Sequence, residues 1–203
     1  MDKRDFLFRF VEPPIRSLLR LDDEAFYSTT DQLTANKIAK ILTRIVPPQA
    51  TITDATACIG GATHAFAQAF SFVNAIEIDR TRYDYLRHNI TILGMAERVR
   101  CIHGDALDVC PRLQQDVVFL DPPWGGPEYK TMPRVSLFLS NSKLSDVCRR
   151  LASSTRYIAI KVPTNFDEAK FREETKDFAQ VIICDTQLRK MHLIVLETSR
   201  RAM

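Results

Sequence analysis

One short segment, DPPWGGPEY at residues 121–129, combines residue types that could hold a planar amine for chemistry. It follows the apolar run DVVFL, so a buried strand should end at Asp121. Prolines fix φ and lack an N–H, which leaves the backbone carbonyl of Pro122 free to accept a hydrogen bond. That carbonyl and the Asp121 carboxylate could grip both hydrogens of an exocyclic amine. Trp124, the only tryptophan, offers a flat aromatic face for a base.

A second segment, DATACIGGATHAFA at residues 54–67, places two glycines between a predicted strand and a predicted helix. Gly60 and Gly61 would let a ligand approach the backbone closely. The free N–H groups at the helix N-terminus could bind a carboxylate as well as a phosphate. The segment lacks the GxGxxG spacing of dinucleotide-binding turns, and this absence disfavours an NAD-dependent enzyme.

Acidic side chains follow the next two predicted strands. Glu77, in AIEID, lies some 20 residues after the first strand, where an acid can accept hydrogen bonds from ribose hydroxyls. Asp79 is expected to cap the following helix instead. Asp105, in HGDA, could accept a hydrogen bond from an adenine amino group. Ligands of parallel sheets bind at the carboxyl ends of the strands, so these acids indicate a site at that edge.

Helical and strand patterns alternate from about residue 37 onward. Apolar spacing predicts helices over residues 36–46, 62–70, 80–93, 142–152 and 167–178. Apolar and β-branched runs predict strands over residues 51–54, 71–79, 98–105, 115–121, 156–162, 179–186 and 191–198. Gly94 is expected to end the third helix and Ser142 to cap the fourth.

This alternation predicts an α/β fold, a Rossmann-like and mostly parallel seven-stranded sheet with helices on both faces. The link between the last two strands is too short for a parallel crossover, so they should pair antiparallel. Residues 1–35 do not fit the sheet and are expected to form an N-terminal cap segment, helical or irregular. Residues 36–203 are expected to form the main domain.

Composition narrows the class of protein. The 203 residues fit one domain, and 45% hydrophobic with 26% charged residues is ordinary for a soluble globular protein. No apolar run is long enough for a membrane span, and the N-terminal residues do not predict a secretory signal. Five cysteines without a CxxC pair argue against a disulfide framework and a zinc site, and favour a reducing compartment. The net charge of +3 is compatible with a polyanionic partner.

Taken in order, these segments resemble class I methyltransferases of the D/N-PP-aromatic type. Within that group the chain looks most like the RNA cap guanine-N2 methyltransferases, the trimethylguanosine synthase family. The PPWGGP-acid-Tyr string is close to the family's signature, and LDDEAFYSTT (21–30) resembles its segment before the first strand. KVPTN (161–165) resembles its Leu-Pro-Arg-Asn stretch. The resemblance covers roughly residues 6–197.

The resemblance implies S-adenosylmethionine as cofactor, no metal, and capped RNA as partner of an intracellular, monomeric enzyme of the cytoplasm or nucleus. The expected cofactor-binding residues are Asp54, Thr56, Gly60, Gly61, Glu77, Asp105, Ala106 and Asp121. The expected catalytic residues are Asp121, Pro122 and Trp124. The expected substrate-binding residues are Trp124, Asn89, Tyr129 and Asn165. Candidate phosphate partners are Arg9, Arg16, Arg20, Lys130 and Arg134.

Within the substrate group, Trp124 would stack on 7-methylguanine, Asn89 would lie near the base edge, and Tyr129 would reach the cap phosphates. A 7-methylguanine ring carries positive charge, so stacking adds a cation–π attraction of about 0.5–2 kcal/mol that unmethylated guanine lacks. This predicts dependence on prior N7 methylation.

The chain departs from the family pattern at four positions. Cys58 replaces a glycine of the cofactor loop, and Asp121 stands where the family more often has serine. Phe26 replaces a tryptophan and Asp31 a proline on either side of the Ser-x-Thr run.

Other functions stay open. DPPW also serves adenine-N6 methyltransferases, and a guanine-N2 enzyme could act on ribosomal or transfer RNA. An alternative from another class of protein is an inactive module that binds the cap or the cofactor. Cys58 is the one feature that favours it.

Overall fold

The structure, a computed structural model, describes residues 2–188 and 191–199. Seven strands form one mostly parallel sheet, as predicted. These strands are β1 (Thr51–Asp54), β2 (Phe72–Glu77), β3 (Val99–His103), β4 (Val117–Leu120), β7 (Tyr157–Pro163), β8 (Ala179–Leu188) and β9 (Met191–Thr198). The order across the sheet is β3-β2-β1-β4-β7-β9-β8. Two further strands, β5 (Phe138–Leu139) and β6 (Ser142–Lys143), form a separate antiparallel hairpin.

The α-helices are α1 (Lys3–Leu7), α2 (Pro13–Arg16), α3 (Asp23–Ser28), α4 (Gln32–Leu42), α5 (Gly61–Ala69), α6 (Arg80–Ile92), α7 (Ala106–Val109), α8 (Leu144–Leu151) and α9 (Glu168–Thr175). Two 3₁₀ turns span Cys110–Arg112 and Pro127–Thr131. The five helices predicted from periodicity are all present. Within the described part of the chain, none of the helices combines the length and hydropathy needed to cross a membrane.

The chain comprises two compact units, one up to Ala106 and one from Leu107. In the first unit, β1, β2 and β3 are parallel neighbours, and α5 and α6 pack against them. In the second unit, β4 and β7 are parallel, and β9 runs antiparallel to both β7 and β8. The antiparallel pairing predicted for the last two strands is therefore confirmed, and residues 189–190 of their link lie outside the described residues.

Helix α4 begins at Gln32, four residues before the start predicted from apolar spacing. The cause is Asp31, whose carboxylate accepts the backbone N–H groups of Leu33 and Thr34 and the hydroxyl of Thr34, the last at 2.7 Å. Such a cap satisfies donors that a helix leaves unpaired at its N-terminus. Where the family has proline, this chain therefore has a residue that caps the helix. Helix α4 consequently crosses residue 35, the boundary predicted between the N-terminal cap segment and the main domain.

One predicted cap is wrong and another is confirmed. The residue before α8 is Lys143, whereas Ser142 pairs with Leu139 in the small hairpin. Ser142 was predicted as the cap because serine is a favoured residue at helix N-termini. Backbone pairing in the hairpin instead places Ser142 one residue before the capping position. Gly94 follows the end of α6 with φ of +69°, the left-handed conformation that glycine adopts at helix ends.

The N-terminal segment is helical, and α1, α3 and the stretches beside them supply much of an apolar cluster within the first unit. Leu7, Phe8 and Leu19 are almost fully buried there together with Cys58 and Ile59 of the glycine loop. The segment is therefore part of the packing that holds this loop.

A buried histidine makes the first unit sensitive to acid. His64 on α5 is 4% exposed, with Nδ1 3.4 Å from Nε2 of Gln32, and burial lowers its pKa from 6.5 to about 4. The unfolded chain takes up this proton first, so the stabilisation is complete above about pH 6.5 and is lost as the pH falls toward 4. We expect His64 to remove about 2 kcal/mol of unfolding free energy between pH 7.5 and pH 5.

Urea unfolding of wild type and His64→Leu at these two pH values measures this contribution. The substitution should flatten the pH dependence by that amount, while His103→Gln, at an exposed histidine, should leave it unchanged. Equal slopes in wild type and His64→Leu would show that another group dominates.

Candidate active site

The first group of predicted site residues lies in the unit up to Ala106, around the glycine loop between β1 and α5. Two residues of this loop have left-handed backbone, Cys58 with φ of +49° and Gly60 with φ of +98°. The turn is closed by hydrogen bonds from the N–H of Gly60 to the carbonyl of Ala57 at 2.9 Å, and from the N–H of Ala57 to that of Ile76 at 2.9 Å. The loop is therefore a fixed turn leading into α5.

Gly61 packs closely against another segment of its own unit. A Cβ at this position would lie 2.2 Å from the carbonyl oxygen of Thr30 and 2.5 Å from Cγ2 of Thr29. The absent side chain thus makes room for the chain segment before α4. Close approach of backbone from the same unit therefore requires glycine here, and the predicted contact of Gly61 with the cofactor stays a prediction.

Asp54 ends β1 and is almost wholly buried, at 1% exposed. One carboxylate oxygen accepts a hydrogen bond from the Thr63 hydroxyl at 2.6 Å. This bond ties the end of the strand to α5 across the glycine loop. Its predicted contact with the methionine part of the cofactor stays a prediction, as does that of Thr56, which is partly exposed on the same loop.

Glu77, at the end of β2, is a buried carboxylate held in one orientation. One oxygen accepts the backbone N–H of Cys58 at 2.9 Å, and the other accepts the N–H of Asp79 at 2.8 Å. Burial raises the pKa of the Glu77 carboxyl, although both N–H groups and the nearby Arg82 oppose the shift. Asp79 caps α6 by accepting the N–H of Arg82, as predicted.

Asp105 follows β3 and is partly exposed, and the buried Ala106 begins α7. In the register of the two strands Glu77 lies beside His103, so these acids occupy the ends of adjacent parallel strands. A carboxylate has lone pairs left after accepting one N–H on each oxygen. The oriented Glu77, the polar end of β3 and the left-handed loop fit the ribose and adenine of S-adenosylmethionine.

Asn89 does not lie at a base edge, contrary to the prediction. Its side chain is fully buried, accepts the N–H of Arg20 at 2.8 Å, and donates to the carbonyls of Arg20 at 2.9 Å and Ile59 at 3.0 Å. Both amide hydrogens are therefore used within the protein. Asn89 instead ties α6 to the N-terminal segment and to the glycine loop.

Cys58 is strained where the family has glycine. A left-handed conformation costs a residue with a side chain about 1–2 kcal/mol, whereas glycine adopts it readily. The sulfur partly offsets this cost because it is buried and accepts a hydrogen bond from the Thr29 hydroxyl at 3.3 Å. We expect Cys58→Gly to be more stable than Cys58→Ala by about 1 kcal/mol, because alanine keeps the strain and loses the sulfur.

Urea unfolding of the two variants, with binding of S-adenosylhomocysteine as a check on the loop, tests this expectation. A more stable alanine variant would mean that the positive φ at Cys58 carries little strain.

The second group of predicted site residues lies in the unit from Leu107. Asp121 follows β4 directly, Pro122 is buried, and Trp124 is half-buried. The Trp124 ring meets that of Tyr129 edge to face, with centroids 5.2 Å apart and planes at 83°. The indole N–H is buried and has no acceptor among the residues that the structure describes. Packing against Tyr129 therefore orients the tryptophan.

Asn165 supports this loop from the end of β7. Its amide nitrogen donates to the carbonyls of Tyr129 and Met132, each at 2.8 Å. Both of its amide hydrogens are therefore taken, while its Oδ1 is buried with no hydrogen-bond partner among the residues that the structure describes. The predicted contact of Asn165 with substrate stays a prediction. The turn that carries Tyr129 is held in place by this side chain.

Lys161 is a site residue that the sequence analysis missed. Its ammonium pairs with the Asp121 carboxylate and lies 5.5 Å from the Trp124 ring centroid. The available signal was a lone charge in the apolar strand YIAIKVP at residues 157–163, every residue of which is buried. A lysine buried in a sheet needs a partner, and this partner is the first residue of DPPW.

Two of the candidate phosphate partners are already paired within their own units. Arg16 binds Asp5 at 2.9 Å and Arg134 binds Asp167 at 2.9 Å. The Arg9 guanidinium lies 5.4 Å from the Phe6 ring. Phosphate binding by Arg9, Arg16, Arg20, Lys130 or Arg134 stays a prediction.

Two solved structures that are named as putative methyltransferases have the same fold. A putative methyltransferase from Porphyromonas gingivalis W83 superposes with a TM-score of 0.71 at 17% identity, covering 98% of this chain and 47% of its own. A putative RNA methyltransferase from Pyrococcus horikoshii gives a TM-score of 0.66 at 13% identity, covering 91% and 95%. These likenesses show the fold. The fold of this chain is accordingly Rossmann-like.

Sequence relatives define the family more narrowly. Residues 49–193 match the pattern of the RNA cap guanine-N2 methyltransferases, and the chain belongs to this family. The trimethylguanosine synthase of Schizosaccharomyces pombe is 36% identical over 154 residues, which cover 72% of this chain and 64% of the synthase. An uncharacterized protein of Acanthamoeba polyphaga mimivirus is 29% identical over 220 residues, covering 93% and 84%. The predicted family resemblance is thus confirmed, and the enzyme is an RNA methyltransferase.

Proposed function

We propose that this enzyme methylates the exocyclic N2 amine of the 7-methylguanosine cap of RNA. The observation that carries the proposal is the loop after β4, which holds a carboxylate, a proline carbonyl and the only tryptophan within four residues. Family membership supports a cap substrate, and this chain matches two yeast proteins named trimethylguanosine synthase over part of their length. A capped RNA substrate places the enzyme in the nucleus or cytoplasm.

Guanine N2 is a poor nucleophile because its lone pair conjugates with the ring, so orientation is the main task of the protein. The Asp121 carboxylate and the Pro122 carbonyl would accept the two hydrogens of the amine and fix the nitrogen's direction. The carboxylate also stabilises the positive charge that develops on the nitrogen. S-adenosylmethionine, when bound, supplies the activated methyl group.

The cofactor's adenosine would be held by residues of the first unit. Glu77, oriented by the N–H groups of Cys58 and Asp79, would accept hydrogen bonds from the ribose, and Asp105 would accept one from the adenine amine. Because Glu77 accepts the N–H of Cys58, the same carboxylate would fix both the glycine loop and the ribose.

Trp124 would bind the base by stacking. Its ring is held edge to face by Tyr129, and stacking of a base on an aromatic side chain is worth about 1–3 kcal/mol. A 7-methylguanine ring is cationic and gains a further cation–π attraction. The loop therefore favours guanine that is already methylated at N7.

Methyl transfer from labelled S-adenosylmethionine to three acceptors tests the proposal. The acceptors are a 7-methylguanosine cap dinucleotide, the unmethylated cap dinucleotide and adenine-rich DNA. We expect label chiefly on the methylated cap, with product mass increased by one or two methyl groups at N2. Absence of label from both caps would refute the cap assignment.

A second candidate, adenine-N6 methylation, is favoured by Asp121. This residue stands where the family more often has serine, and DPPW also serves adenine-N6 chemistry. Label on the DNA acceptor in place of the cap would support it. Structured ribosomal and transfer RNA, added as a fourth acceptor, tests the remaining alternatives. Label on this RNA alone would point to a guanine-N2 enzyme for those RNAs, and cofactor binding without transfer to any acceptor would indicate an inactive binding module.

A further inference from the structure

The position of Lys161 follows from the pairing of two parallel strands. Leu120 of β4 lies beside Ile160 of β7, so Asp121 and Lys161 each come one residue later on neighbouring strands. On the other side of β7, Lys161 lies opposite Leu193 of β9 in the antiparallel pairing. Sheet register therefore brings a lysine to the first residue of the DPPW loop, within one compact unit.

The two charges are almost entirely withdrawn from solvent. The side chain of Lys161 is 8% exposed and that of Asp121 is 10% exposed. Each group also has the partner that burial demands, because an unpaired charge in such a place would be costly. The pair is therefore a built feature of the loop, unlike the exposed ion pairs elsewhere on this unit, such as Arg149 with Asp177.

This pairing changes what a base at Trp124 would experience. Asp121 alone would present a negative charge to the amine and to a positively charged ring. With the Lys161 ammonium beside the carboxylate and 5.5 Å from the Trp124 centroid, the end of the loop carries no net charge. A cationic base is then attracted to the aromatic face of Trp124, but no net negative charge beside it adds to this attraction.

We propose that Lys161 is a specificity-determining residue, which sets how strongly the enzyme prefers a positively charged base over a neutral one. The proposal rests on the proposed function, because it concerns the base that Trp124 would bind. In wild type, the preference for 7-methylguanine over guanine comes from stacking on Trp124 alone. Lys161 cancels the additional preference that the Asp121 carboxylate would otherwise give.

Neutralising Lys161 and neutralising Asp121 are expected to change the preference for the methylated cap in opposite directions. Lys161→Met leaves the carboxylate unbalanced and should raise the ratio of affinities for methylated over unmethylated cap by about fivefold. Asp121→Asn leaves the ammonium unbalanced and should lower this ratio by about fivefold. The double variant is again neutral and should return to within about twofold of the wild-type ratio.

The experiment measures Kd for 7-methylguanosine and unmethylated cap dinucleotides by calorimetry in all four proteins, so that slow turnover of Asp121→Asn does not matter. Lys161→Gln provides a second neutral replacement if the methionine variant folds poorly. Thermal unfolding and binding of S-adenosylhomocysteine check each variant. Lys143→Met is the matched control, because it removes a lysine from another ion pair of the same unit, that with Glu174.

If the role of the ion pair is purely structural, its loss should lower the affinity for both caps equally and leave the ratio of affinities unchanged. Unchanged ratios in variants of a wild type that methylates the cap would overturn the inference while leaving the proposed function intact. A wild type that methylates neither cap would instead overturn the proposed function, and the inference with it. Ratios that change in opposite directions in the two single variants and recover in the double variant would establish the inference.

Discussion

Trp124→Ala is expected to lose at least about 99% of methyl transfer to the methylated cap while the protein stays folded. Stacking of a base contributes about 1–3 kcal/mol, and the cation–π attraction adds about 0.5–2 kcal/mol. The alanine also removes the surface that fixes the base relative to Asp121, so both affinity and turnover should fall. Trp124 is half-buried at a loop and makes its aromatic contact with Tyr129, so the cost to stability should be small.

Initial rates over a range of cap concentrations separate the two effects, and circular dichroism with S-adenosylhomocysteine binding confirms the fold. Trp124→Phe should recover part of the activity because a smaller aromatic face remains. Phe138→Ala removes a half-exposed aromatic of the same unit from the β5–β6 hairpin and should leave the rate unchanged. Wild-type turnover in Trp124→Ala would disprove the stacking model.

Gly61→Ala is expected to destabilise the protein by about 3 kcal/mol, the upper end for overpacking. The added Cβ would meet the carbonyl oxygen of Thr30 at 2.2 Å, and a backbone atom cannot turn aside as a flexible side chain can. The glycine loop or the segment before α4 must therefore move. A loss of this size lowers the melting temperature of a chain of this length by roughly 10 °C.

The matched control is Gly94→Ala, where a Cβ meets nothing within 4 Å but the backbone is left-handed with φ of +69°. This variant should lose only about 1 kcal/mol, the usual cost of that conformation. Urea unfolding of both proteins separates crowding from strain, and cofactor binding should fall in Gly61→Ala alone. Equal costs would mean that the segment at Thr30 yields easily.

Apolar spacing follows directly from which face of a helix or strand is buried, so the periodicity of the chain was sufficient to predict the seven strands of the main sheet and five helices, though not α7 or the β5–β6 hairpin. It did not predict that β9 lies between β7 and β8. Strand order depends on packing between distant segments, and no local pattern records it. The early start of α4 was missed for a related reason, because a single capping carboxylate extends a helix beyond its apolar stripe.

The position of a residue that ends a strand could be predicted from the sequence, whereas the contacts of a polar residue that supports a loop could not. Glu77 and Asp121 follow directly from their strands. Asn89 and Asn165 resembled substrate contacts, yet their amide hydrogens are used on backbone carbonyls. A family pattern shows that an asparagine recurs, whereas only the fold shows what it binds. Lys161 was not predicted as a site residue because its partner, Asp121, lies 40 residues earlier in the chain.

The single tryptophan also gives the enzyme an intrinsic optical reporter. Indole emission responds to stacking and to nearby charge, and Trp124 has Tyr129 against its ring and the Lys161 ammonium close by. Excitation near 295 nm would therefore monitor this loop and no other part of the molecule. Quenching on addition of a cap analogue would follow base binding in real time, without a label and without turnover.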